Sequence, residues 1–267
     1  MGEDELHDRI AAARAYEELH VPALFHQWSP WVLDAARIGP GQRVLDVACG
    51  TGVLAREAET RVGPTGFVAG VDPDPGMLAV AEQLAPAVEW RRGAAESLPY
   101  PDRTFDAVVS QFGLMFFSDL RQALQEMLRV AIPGGTVSAA VWDRLERSAA
   151  YPIEVELVER LAGKRAADAL RVLFVLGDTE ELRALFESAG VAAISITTRS
   201  GIARFPGIRS MVEADLRGWL PVMGVELDDG MIDEILEGAE GTLQRYVTAD
   251  GRVVFDSPGH IITGIRP

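Results

Sequence analysis

Between residues 42 and 142, short apolar runs alternate with helix-like stretches: VLDVA then VLAREAETRV, FVAGVD then PGMLAVAEQLA, AVEWRR, FDAVVSQ then LRQALQEMLRVA, and finally TVSAAVW. This rhythm predicts a mainly parallel sheet with crossover helices, a doubly wound, Rossmann-like α/β fold. The punctuation agrees. Gly39-Pro40-Gly41 precedes the first strand, Asp74-Pro75 reads as an N-cap with proline at the first helical position, and Ile132-Pro133-Gly134-Gly135 ends a helix before a strand.

Two regions fall outside the alternation. Residues 1–38 read as an amphipathic helix through Leu6, Ile10, Ala13, Tyr16 and Leu19, followed by a short helix begun at Ser29-Pro30. After residue 142 come helical patterns at 153–161, 180–189, 209–220 and 228–246, a strand-like AAISITTRS, and a closing HIITGI that returns to the sheet. The chain is therefore expected to form one domain: an N-terminal helical lid segment (1–38), a ligand-binding core (39–142), and a helical lid with the final strands (143–267).

The formal net charge is −15. Nucleic-acid affinity comes largely from Lys and Arg displacing counterions, so a nucleic-acid partner is not expected. The single cysteine, Cys49, cannot form an internal disulfide, and with the four histidines it offers no metal-ligand spacing. No metal is expected. Met1-Gly-Glu-Asp-Glu lacks an export signal, and no apolar run reaches the roughly 18 residues of a membrane span. The expectation is a cytoplasmic protein.

In RVLDVACGTGVLA, Gly50, Gly52 and Ala55 fit the G-x-G-x-x-G/A dinucleotide pattern, with a strand before it and a helix after it. Alone, this leaves NAD open. At the end of the next strand Asp72 would accept hydrogen bonds from ribose hydroxyls, which identifies a nucleoside and not a particular cofactor. Asp46 separates the alternatives, because a pyrophosphate at the helix N-terminus would share a small space with its carboxylate. A zwitterionic amino acid beside a sulfonium suits the place better, its ammonium drawn to the acidic groups and its carboxylate meeting backbone N–H groups. That ligand is S-adenosylmethionine. Cys49 has neither a basic partner nor metal-ligand companions, so it reads as a small lining residue.

VLDVACGTG, GVDPDPGML, GAAESLPYPDRTFDAVVSQFGLMFF and RVAIPGG together resemble the class I S-adenosylmethionine-dependent methyltransferases, especially the group around ubiquinone and menaquinone biosynthesis, over roughly residues 40–142. The resemblance implies a seven-stranded sheet with one reversed strand, for which HIITGI is the candidate. It also implies that Asp46, Ala48, Gly50 and Gly52 line the methionine end with Cys49. Asp72, followed by Pro73, holds the ribose hydroxyls, Met77 packs near the adenosine, Ala95 offers its N–H to adenine, and Gln111 touches the methionine moiety. One departure stands out: where the family usually carries Asp or Asn to accept from the adenine amino group, this chain has Ala94, with Glu96 as a possible substitute.

Methyl transfer from a sulfonium depends mainly on positioning and exclusion of water. A carbon-acid or hydroxyl acceptor adds the need for a general base. His20 and His26 lie in the segment that the resemblance places over the cofactor with Tyr16, and His26 is the candidate base. Asp143, just after the fifth strand, faces either the pocket or a turn; His260 reads as packed in the last strand, and His7 as solvated. Phe112, Met115, Phe116 and Phe117 follow the fourth strand, on the side of the sheet where ligands bind. Phe25, Trp28, Trp31, Trp219 and Met223 join them from the helical additions. The expected function is transfer of a methyl group to a small apolar or aromatic molecule, with S-adenosylhomocysteine as product. An NAD-dependent oxidoreductase and a non-catalytic nucleoside-binding regulator are the alternatives.

Overall fold

The computed structural model describes residues 2–267. Strands β1 (Arg43–Val47), β2 (Phe67–Asp72), β3 (Glu89–Arg92), β4 (Phe105–Gln111) and β5 (Ala131–Trp142) pair in parallel, and β6 (Ala192–Arg199) and β9 (Gly259–Ile265) complete a seven-stranded sheet in the order β3-β2-β1-β4-β5-β9-β6. The last strand, β9, runs antiparallel to both of its neighbours. The seven strands with a reversed last strand are as the sequence implied.

The central strands are apolar at nearly every position because both faces are covered. Alternation then sorts their side chains. Val44 and Val109 face α2 (Ser29–Ala35) and α3 (Val53–Val62). Leu45, Val47 and Val108 face α5 (Leu120–Val130) and α8 (Thr179–Ala189), where Leu124, Met127 and Phe186 are fully buried. Asp46 shares the face of Val44, so the strand's only acid points toward the N-terminus of α3.

Local signals explain the element ends. Asp74 caps α4 (Pro75–Leu84), its Oδ1 accepting from the N–H groups of Gly76 and Met77 at 2.7 and 3.0 Å, with proline at the first position. The Pro133-Gly134-Gly135 punctuation behaves differently from expectation: it lies inside β5, not between helix and strand. The β4–β5 register jumps from Phe105↔Ala131 to Ala107↔Thr136, and the extra residues bulge out through Gly134 at φ +78°. The bulge is held by the end of the chain, since Gly134 N–H donates to the Arg266 carbonyl and Arg266 N–H to the Gly135 carbonyl, both at 2.9 Å.

The N-terminal helix α1 (Glu3–His20) is less apolar than its pattern suggested. Among its described residues only Ala13 is fully buried, and polar contacts seat the helix on α4 and on the loop after β1. Arg9 pairs with Asp74 at 2.8 Å, and a Cβ on Gly76 would lie 2.5 Å from the Arg9 backbone, so the helices touch where only glycine fits. A π-helical turn (Val21–Phe25) and a 3-10 turn (His26–Trp28) lead into α2. The helices α6 (Tyr151–Ala162), α7 (Lys164–Arg171), α9 (Ile208–Glu213), α10 (Leu220–Val222) and α11 (Asp229–Thr242), with a two-stranded antiparallel sheet of β7 (Ile202–Phe205) and β8 (Val253–Asp256), form a helical addition to the sheet. Its buried residues are continuous with the core on the α2–α3 face. Among the described residues no helix is long and apolar enough to cross a membrane.

Candidate active site

The strand order reverses direction between β1 and β4, so the crevice beyond their carboxyl ends is the natural ligand position of such a sheet. Five residues, Ala48 to Gly52, turn the chain there from β1 into α3. Ala48, Gly50 and Gly52 all have positive φ, at 56°, 54° and 85°. A Cβ on Gly52 would meet the Trp90 ring at 2.5 Å, and one on Gly113 would meet Ala48 Cβ at 2.6 Å, so the loop is packed from both sides. Cys49 N–H donates to the Val71 carbonyl at 3.1 Å, and Gly50 N–H to Asp72 Oδ2 at 2.9 Å.

Both acids are buried. Asp46 is 1% exposed; its Oδ2 accepts from Ala55 N–H in the first turn of α3 at 3.1 Å, and its Oδ1 has no partner. Burial holds its carboxyl well above the usual range, with the Ala55 N–H pulling the other way and Asp72 adding to the rise. Asp72 accepts from the N–H groups of Gly50 and Asp74, and burial pushes its carboxyl up to about 6 against those two bonds. The Cys49 thiol is likewise pushed up by burial and by the two acids, so it stays protonated.

Tyr16 of α1 closes this loop. Its ring comes within 4.0 Å of a Cβ built on Gly50, and burial near Asp72 raises its phenol. Glu17 fixes the contact, accepting from Thr51 Oγ1 at 2.5 Å and from Arg56 Nη2 at 2.7 Å. Beyond Tyr16 a run of rings continues: Phe25 at 5.5 Å from Tyr16, Phe112 at 5.5 Å from Phe25, and Trp142 stacked on Phe112 at 3.9 Å.

The remaining predicted residues divide. Gln111 reaches the N-terminal segment, donating to the Phe25 carbonyl at 3.1 Å and accepting from Ser29 Oγ at 3.2 Å. Met77 is half-buried in the first turn of α4, and Pro73 is exposed, its carbonyl accepting from Arg92. Ala95 is buried and Ala94 exposed. Glu96 Oε1 accepts from the N–H groups of Ser118 and Asp119 at 2.6 and 3.2 Å. Met115 is buried, while Phe116 is 45% exposed and rests against Trp219 at 4.8 Å.

Two expectations need correction, and one left open is resolved. His26 is exposed on the 3-10 turn; of the two histidines expected over the cofactor it is His20, one helical turn after Tyr16, that packs among the rings. Trp28 is fully buried as a wedge against Gly201 and Gly259, so it belongs to the core and not to an acceptor surface. Asp143 turns to His260 Nε2 at 3.1 Å, and His260 is further held by Thr198 and the Gly177 carbonyl. The sequence reading also missed Ser110, whose hydroxyl is buried at the end of β4 without a partner, and the buried acids Glu154 and Asp215. A charge on the apolar side of YPIEVELVERL was the available signal for Glu154.

A methyltransferase-domain family model matches residues 45–139. The chain is similar to the ubiquinone/menaquinone biosynthesis C-methyltransferase UbiE of Burkholderia mallei, with 33% identity over 202 residues, 69% of this chain and 81% of that one. It is 38% identical over 123 residues to 2-phytyl-1,4-naphtoquinone methyltransferase of Thermosynechococcus vestitus, covering 45% of this chain and about half, 54%, of that relative. In fold it resembles phosphoethanolamine N-methyltransferase 2 of Haemonchus contortus, solved with phosphomonomethylethanolamine and S-adenosylhomocysteine, with a TM-score of 0.61 at 18% identity over 97% of this chain and 57% of that one.

Proposed function

Since the chain belongs to the class I S-adenosylmethionine-dependent methyltransferases and resembles UbiE within them, we propose that it methylates a small, largely apolar or aromatic molecule held beside Phe25, Phe112 and Trp219. One observation carries the cofactor assignment to these residues: Asp46 Oδ1, buried at the N-terminus of α3 without a partner. A buried carboxylate oxygen left unpaired is costly, and an amino acid's ammonium satisfies it. The orphaned Ser110 hydroxyl offers a second polar contact at the same end of the sheet. A pyrophosphate would be repelled there.

The rest of the fit follows the loop. Each Asp72 oxygen accepts one backbone N–H and retains a lone pair for a ribose hydroxyl. The loop N–H groups other than those of Cys49, Gly50 and Gly52, which already donate within the protein, face the amino-acid carboxylate, and Met77 and the Ala95 N–H face the adenine. With Ala94 lacking an acceptor, the missing adenine hydrogen bond costs about 0.5–1.5 kcal/mol of affinity.

S-adenosylmethionine supplies an electrophilic methyl group on a sulfonium. The chain's contribution is placement: Tyr16 and Glu17 close the loop against water, Gln111 ties β4 to the N-terminal segment, and the run of rings orients a flat acceptor at the crevice mouth. The quinone-linked names of the relatives support a ring-bearing acceptor. The test is methyl transfer from labelled S-adenosylmethionine to a panel of phenols, hydroquinones and polar charged amines. Turnover of the aromatic members supports the reading, and turnover confined to the charged ones contradicts it.

A further inference from the structure

The last turn of α1 carries a polar cluster that methyl positioning alone does not use. His20 stacks on Tyr16, with ring centroids 5.5 Å apart and an interplanar angle of 23°, and meets the edge of Phe205 at 6.4 Å. Its Nε2 faces Asp215 Oδ1 at 3.9 Å, while its Nδ1 is buried with no partner. Asp215 is 4% exposed and lies on a π-helical turn (Ala214–Trp219). Behind it stands Glu154 of α6, fully buried beside Asp215, with no hydrogen-bond partner for either of its carboxyl oxygens. Tyr151, on the same helix, is buried beside both carboxyls.

Burial, with the Asp215 carboxyl beside it, lifts Glu154 well above the usual range. Glu154 is therefore held neutral, and the carboxyl that faces the imidazole is that of Asp215. An apolar pair of the same size would stabilise the lid better. A histidine that faces a carboxylate on one nitrogen, has its other nitrogen unpartnered, and is backed by a further buried acid is the layout from which an activated base is assembled on binding. The π-helical turns Val21–Phe25 and Ala214–Trp219, one directly after His20 and the other carrying Asp215, aim the two residues at each other.

We propose that His20 is the general base of the reaction and that Asp215 and Glu154 are its positioning residues. Asp215 keeps the imidazole proton on Nε2, so that Nδ1 offers its lone pair to the acceptor. The acceptor is then of a class that loses a proton as it is methylated, a phenol or hydroquinone reacting at oxygen or at ring carbon. Its proton passes to Nδ1, the electron pair released on the acceptor forms the new bond to the methyl carbon, and the pair of the broken carbon–sulfur bond stays on sulfur. The imidazolium is balanced by Asp215. The inference rests on the proposed function and deepens it.

The test uses S-adenosylhomocysteine-loaded full-length protein and 4-nitrocatechol, whose phenolate is coloured, at a pH below the probe's own ionisation midpoint. The wild type is expected to develop the phenolate band on binding. His20→Gln is expected to lose at least about tenfold of that band while binding S-adenosylhomocysteine within about twofold of wild type. Nitrogen-15 spectra, with His20 identified by its absence in His20→Gln, should show the Nε2–H tautomer, lost in Asp215→Asn and retained in Glu154→Gln, whose neutral amide stands in for the protonated acid. An Nδ1–H tautomer in the wild type, an undiminished band in His20→Gln, or failure of the loaded wild type to bind or ionise the probe overturns the proposal. Failure to bind S-adenosylhomocysteine is a separate result that overturns the cofactor reading itself.

Discussion

Gly50 N–H donates to Asp72 Oδ2 at 2.9 Å, so the acid that ends β2 holds the loop that follows β1. One carboxylate thereby links loop shape to nucleoside recognition, and most consequences of the site run through it or through its neighbour Asp46.

Cofactor affinity should depend on the ionisation of Asp72. The ionised carboxylate is the form that accepts ribose hydroxyls, and burial sets its midpoint at about 6. Affinity for S-adenosylhomocysteine is therefore expected to be level above that pH and to fall below it. Folding stability moves the other way. A folded-state value raised above the unfolded one contributes stability at low pH that is lost as pH rises through about 6. Calorimetry and thermal melts across the range measure the two trends.

Asp46→Asn should stabilise the ligand-free protein and weaken its binding. The folded carboxyl is raised by burial, so its ionisation costs stability as pH rises, and the neutral amide removes that cost, on the order of 1–3 kcal/mol. The expected readout is a higher melting temperature at neutral pH, a gain that shrinks as pH falls, together with at least about tenfold weaker binding of S-adenosylhomocysteine.

Two glycine substitutions should have opposite effects. Gly52→Ala places a Cβ 2.5 Å from Trp90 at φ +85° and is expected to cost about 1–3 kcal/mol, seen as a lower melting temperature and lost binding. Gly241→Ala, on α11 with nothing within 4 Å, is expected to stabilise by about 0.4–1 kcal/mol and leave binding unchanged.

His260→Ala should be a stability variant. It strips the Gly177 carbonyl, Thr198 and Asp143 of a buried partner and is expected to cost about 1–3 kcal/mol in denaturant melts, with S-adenosylhomocysteine affinity retained.

The parallel core was legible because its signals are local: runs such as VLDVA bounded by Gly41 and Gly50, the Asp74-Pro75 cap, and acids at two strand ends. The lid was less so. β7 and β8 are four residues each and pair across about fifty residues of intervening chain, too short and too distant for periodicity to reveal. His20 and His26 are separated in role by the π-helical turn between them, which rotates one into the rings and the other to solvent, a twist that regular helix spacing does not anticipate. Trp28 read as pocket because its neighbours are aromatic; only the tertiary contacts with Gly201 and Gly259 make it core.

The most direct test of the account is a calorimetric titration of wild type and Asp72→Ala with S-adenosylhomocysteine, and of wild type with NAD. One-to-one binding by the wild type, loss of roughly 2 kcal/mol or more in Asp72→Ala, and no heat with NAD is the predicted result. A folded wild type that gives no heat with S-adenosylhomocysteine, or that binds NAD in its place, would contradict it.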